Sequence, residues 1–147
     1  MTGALNNLKY DDDFIRDILE EVNVVALVGA SSNPERPSHQ VMKYLLHKGY
    51  RVIPVNPNEA GRSILGEPVV ASLQDITEPI DMVDVFRRSE AVAEVVDEAI
   101  AANARVVWMQ LGVVNQGAAS RAEEEGLRVI MDRCPKIEYE RLRLGIY

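Results

Sequence analysis

Short apolar runs alternating with stretches of helical period are the strongest constraint on this chain. Val24–Val28, Arg51–Val55, Met82–Phe86, Arg105–Gln110 and Leu127–Met131 are each rich in valine, isoleucine or methionine and end at a glycine or polar residue. A further short strand is expected near Pro68–Val70. Between them, Val41, Met42, Leu45 and Leu46 fall on one helical face, as do Val92, Val95, Val96, Ala99 and Ile100. Asn115 is placed to cap a helix that runs to Glu125, and Ser89 to cap the one before it. Ahead of the first strand, Phe14, Ile15, Ile18, Leu19 and Val22 define a helix opened by three aspartates. Strands apolar on both faces belong in a parallel sheet covered by helices on each side. Right-handed crossovers make this a doubly wound, Rossmann-like α/β/α fold. The expected strand order is 3-2-1-4-5, with room for one more edge strand.

With 147 residues, the chain suits one domain spanning 1–147, with residues 1–10 expected to be flexible. It carries 16 basic and 23 acidic residues, a net charge of −7. That balance argues against a general nucleic-acid or anionic-membrane surface. The single cysteine, Cys134, excludes an intramolecular disulfide and suits a reducing cytoplasm. No signal-peptide pattern opens the sequence, and no apolar run approaches the ~20 residues of a membrane span.

In a doubly wound sheet, ligands lie beyond the carboxyl ends of the strands, at the switch point. There the sequence reads Val28-Gly29-Ala30-Ser31-Ser32-Asn33-Pro34-Glu35-Arg36-Pro37-Ser38. The Gly-x-Gly-x-x-Gly of a dinucleotide site is absent. Gly29 permits the tight turn, while Ser31, Ser32 and Ser38 offer hydroxyls. Arg36 adds a forked cation beside the free N–H groups of a helix N-terminus. The pattern suits a phosphate.

The second strand ends in Asn56-Pro57, without the acid that an NAD site sets against the ribose hydroxyls. Asn56 is able to hydrogen-bond a ribose or adenine, and Arg62 follows. A phosphorylated ribose is thereby favoured, which leaves both NADP and coenzyme A open.

Five segments in order, "VGASSNPERPSHQVMKYLLHKGYRVIPVNP", "LGEPVVASL", "DMVDVFRRSE", "VWMQLGV" and "VMDRCPKIEY", resemble the small single-domain CoA-binding proteins. These are similar in turn to the N-terminal CoA-binding domain of the succinyl-CoA synthetase alpha subunit. The resemblance covers Phe14 to Leu142 and implies a Rossmann-like fold holding coenzyme A or an acyl-CoA. By position it implies that Gly29, Ala30, Ser31 and Ser32 meet the phosphates or the start of the pantetheine. Val55, Asn56 and Pro57 then flank the adenosine. Phe86 and Arg87 border the cofactor, and Gln110, Gly112 and Val113 line the pantetheine path. Where the synthetase domain carries a lysine, this chain has Glu59, with Arg62 nearby. The synthetase's second domain, with its phosphorylated histidine, has no counterpart here.

Other candidates are weaker. His39 reads best as a solvent-facing helical residue, His47 as a helix-end cation, and Trp108 and Cys134 as core. Asp81, Asp84 and Asp132 lack metal-ligand spacing. The expected function is a cytoplasmic CoA-binding module with no catalysis of its own, possible protein partners, and neither nucleic acid nor membrane as a ligand. A small NADP-dependent oxidoreductase and a degenerate protein-interaction module are the alternatives.

Overall fold

A computed structural model describes residues 9–145. The expectation of flexibility for residues 1–8 lies outside the described residues. Tyr10, at the end of that stretch, is held in place: its hydroxyl accepts from the Met131 N–H at 2.9 Å and its ring stacks on Phe14.

Five parallel strands form the sheet: β1 (Val24–Val28), β2 (Arg51–Val55), β5 (Met82–Val85), β6 (Val106–Met109) and β7 (Arg128–Ile130). Their order is β2-β1-β5-β6-β7. Beyond β2, Val70 makes an isolated parallel bridge to Val55. The expected third strand is thus reduced to one bridge outside β2, and β7 is the added edge strand. Pro68, read with Val70 as one strand, instead belongs to a small antiparallel hairpin of β3 (Ser63–Ile64) and β4 (Glu67–Pro68).

Alternation along the strands sorts the core into two layers. Val25, Leu27, Val52, Met82, Val106, Trp108 and Ile130 pack with α1 (Asp12–Glu21), α2 (Pro37–His47) and α5 (Pro135–Arg141). Ala26, Val28, Val55, Val83, Val85, Val107 and Met109 pack with α3 (Val92–Ala101) and α4 (Gln116–Glu124). Trp108 is fully buried and its indole N–H donates to the Arg133 carbonyl at 2.8 Å. Among the described residues, no helix is long and apolar enough to cross a membrane.

The caps differ in part from expectation. Asn115 does cap α4, accepting from the Ala118 N–H at 3.0 Å. Ser89 does not cap α3, which begins at Val92 after a 3-10 turn spanning Ser89–Ala91. Its hydroxyl accepts from the Val114 N–H and its carbonyl from the Asn115 side chain, both at 3.0 Å. Tertiary contact with the loop after β6 has taken over the cap's oxygen.

Candidate functional site

The turn after β1 is fixed from β2. Gly29 and Ala30 N–H both donate to the Val55 carbonyl, at 3.0 and 3.3 Å. Asn56 closes the other side: its Nδ2 donates to the Ala30 carbonyl at 2.8 Å, while its Oδ1 accepts from the Asn58 N–H at 2.8 Å. Both ends of this amide are therefore engaged in holding two loops together. One Nδ2 hydrogen and one Oδ1 lone pair remain, and Asn56 lines both lobes of the crevice beyond the strand ends. The expectation for His39 is corrected. It is half-buried, and its Nδ1 lies 3.0 Å from the Ser31 carbonyl, bracing the turn from α2 rather than facing solvent.

Beyond the strand ends lies a crevice in two lobes that share Gly29, Asn56 and Arg87. The larger, about 670 Å³, opens between the β1 turn, the start of α2 and the ends of β5 and β6. Phe86, Leu111 and Val113 give it apolar surface; Arg36, Arg87 and Arg88 ring it with positive charge. Neither Arg36 nor Arg88 forms an ion pair among the described residues. Ser38 and Gln110 are 5% and 6% exposed, and Gln110 Oε1 has no hydrogen-bond partner. The loop over this lobe is pinned by Asp132, whose Oδ1 accepts from the Gly112 N–H at 2.8 Å.

The smaller lobe, about 350 Å³, lies on the α3 side of the sheet, between Val55–Asn58, Ala71, Ser72 and α3. Glu94 and Glu98 line it with Arg87. Burial and the neighbouring Glu94 raise the Glu98 pKa, and Arg87 opposes them. This lobe is suited to hydrogen-bond donors and hostile to a second anion.

The sequence pattern of the CoA binding domain matches residues 23–140. The chain belongs to this CoA-binding family. The uncharacterized protein YneT of Bacillus subtilis (strain 168) is 44% identical over 127 residues, spanning 85% of this chain and 91% of that protein. A hypothetical protein from Pyrococcus horikoshii OT3 shares 42% identity and a TM-score of 0.87, covering 92% of this chain and 94% of that one. The cell-free protein ID.343 of Thermus thermophilus shares 39% identity and a TM-score of 0.86, covering 90% and 99%.

Within this CoA-binding domain, the large lobe brings together Gly29, Ala30, Ser31, Arg36, Ser38, Asn56, Phe86, Arg87, Gln110, Gly112 and Val113. Val55 and Pro57 fall in the small lobe. Ser32 and Arg62 line neither. Ser32 is turned to the loop after β2, where its N–H donates to Glu59 Oε2 at 3.2 Å. Cys134 is buried at the start of α5 and lines neither lobe.

Sequence reasoning did not find Ser72, Glu94 and Glu98 as lining residues, whereas Pro37 and Leu111 fall inside the strand-end loops Gly29–Ser38 and Gln110–Val113. Leu111 is 53% exposed, and its place directly beyond a strand end is the signal that was open to reading. Glu94 and Glu98 carry no such signal. One helical turn of acidic residues reads as a solvated face until α3 is placed against the sheet.

Proposed function

We propose that this domain binds coenzyme A or an acyl-CoA across the two lobes, and that it acts as a binding module. The divided crevice hinged on Gly29 carries the reading. A ligand that crosses it needs a base at one end, phosphates at the middle and an apolar arm at the other. The adenine base fits the small lobe, where Glu94 and Glu98 accept hydrogen bonds, with the ribose 3′-phosphate directed to Arg87, which both lobes share. The phosphates fit over the turn, near Arg36, Arg87 and Arg88, where charge-assisted hydrogen bonds are strongest. The pantetheine fits the large lobe, along Gln110 to Val113.

The binding-module reading is supported by what lines the large lobe. Its residues are glycine, alanine, serine, arginine, proline, asparagine, glutamine, phenylalanine, leucine and valine, none of them a general base at neutral pH. A cytoplasmic setting is part of the proposal, since the sole cysteine is a free, buried thiol.

Isothermal titration with CoA, acetyl-CoA, NADP and NAD tests the reading. CoA or acetyl-CoA is expected to bind most tightly. NAD or NADP binding more tightly than either would overturn it.

A further inference from the structure

The turn after β1 already carries an anion. Glu59, from the loop after β2, takes the Ser32 N–H on Oε2 at 3.2 Å. The Ser32 hydroxyl, then its amide, hold this carboxyl below its ordinary pKa, and Arg62 adds a smaller pull. Ser32 lines neither lobe, but Gly29, Ala30 and Ser31 of the same turn line the large one, so this charge stands at the edge of the surface that a ligand phosphate would approach.

The remaining donors there are unevenly used. Asn33 N–H is taken by Ser31 Oγ at 3.1 Å and Glu35 N–H by Asn33 Oδ1 at 3.0 Å. The Ser32 amide, by contrast, is held by a charged side chain from another loop. The hold is also incomplete. Glu59 Oε1 has no hydrogen-bond partner.

We infer that Glu59 is a resident anion on the Ser32 amide that opposes and yields to a ligand phosphate, and so sets the phosphate affinity of the site. The ligand's identity rests on the CoA reading; the competition does not, because any phosphate at this turn meets the same carboxylate. A phosphate within a few ångströms of Glu59 is repelled, and one on the Ser32 amide must displace it. A carboxylate at this place weakens phosphate binding and leaves the site readily emptied.

A pair of substitutions separates this from a purely tethering role. Glu59→Gln keeps an oxygen for the Ser32 N–H but removes the charge, and Glu59→Ala removes both. Affinities for CoA, inorganic pyrophosphate and phosphate-free pantetheine are measured by titration calorimetry at low salt. Competition predicts that both variants bind CoA and pyrophosphate tighter, by about 5- to 50-fold, with pantetheine unchanged. A tether predicts no gain in Glu59→Gln and a loss in Glu59→Ala, and either result overturns the inference. Equal gains for pantetheine also overturn it, because the effect would not lie at the phosphate. Gain for pyrophosphate without any CoA binding upholds the competition while sinking the CoA reading. No gain with either phosphate probe sinks the competition whether or not CoA binds.

Discussion

A Cβ on Gly29 would lie 2.2 Å from the carbonyl oxygen of Phe86. The end of β1 and the residue after β5 are that close because Phe86 N–H donates to the Val28 carbonyl at 2.8 Å. Gly29 also has φ +91°, in the left-handed region that favours glycine. Two independent constraints, backbone conformation and contact with another strand end, therefore fall on one residue. Phe86 borders the large lobe, so its shape depends on this contact.

Gly29→Ala is expected to destabilise the fold by about 2–4 kcal/mol, from the positive φ and the clash together. Thermal unfolding measures it. A melting temperature equal to that of the wild type would show that the two strand ends separate freely.

Arg36→Ala and Arg87→Ala are expected to weaken CoA, with the stronger effect about 10- to 150-fold, as for the loss of a charge-assisted hydrogen bond of ~1.5–3 kcal/mol. The loss should shrink as salt is raised. Titration at two ionic strengths checks this. If both variants bind normally at low salt, the phosphates do not lie between these residues.

Asp84 gives a pH prediction. It sits in register with Leu27 and Trp108, is fully buried, and neither carboxyl oxygen has a partner. Burial holds its pKa well above the ordinary carboxylate value. The unfolded chain releases this proton near pH ~4, while the folded chain retains it. From that pH upward the unfolded state binds fewer protons, so stability falls with rising pH until the folded group also ionises. The limit is one proton, about 1.4 kcal/mol per pH unit. Asp84→Asn removes the titration, so its stability should fall less between pH 4 and 7. Denaturant titrations across that range with parallel curves for the two proteins would refute the assignment.

Asp132→Ala should loosen the loop from Gln110 to Val113. The side chain supplies the acceptor for Gly112 N–H, and its φ of 58° is tolerated by aspartate better than by alanine. Hydrogen exchange at Gly112 is expected to quicken, with a stability loss of about 1–3 kcal/mol. Unchanged exchange would mean that the loop is held by the Val113 N–H to Gln110 carbonyl bond alone, at 2.8 Å.

The isolated protein is expected to leave acyl-CoA thioesters intact. Free-thiol release from acetyl-CoA and a longer acyl-CoA is compared in wild type, Cys134→Ala and His39→Ala. Steady turnover lost in either variant would make this chain an enzyme.

The sheet was readable because its strands are short apolar runs that alternate with helices and end at turn residues such as Gly29 and Asn56. Asp84 was hidden: within "MVDVF" a carboxyl reads as a flank, because its burial is known only once β1 and β6 are paired on either side. The hairpin at Ser63–Pro68 was too short to show a period, and its turn relies on Leu65 and Gly66 at φ 51° and 82°. Asn56 and Ser89 were assigned their chemistry but not their partners. Those partners lie 26 and 25 residues away in sequence, and nothing local specifies them. The Gly29 turn was found by position, whereas the Glu59 carboxylate that occupies it depends on how two loops meet.

Trp108 makes the molecule its own optical probe. It is the chain's only tryptophan, sealed from water with its N–H bound to the Arg133 carbonyl, two residues before Gln110. Its emission should be blue-shifted in the folded chain and red-shifted on unfolding. A ligand in the large lobe touches the end of this strand without reaching the indole, so it should alter the intensity more than the colour. One cuvette can then follow unfolding by wavelength and occupancy by brightness, with no label attached.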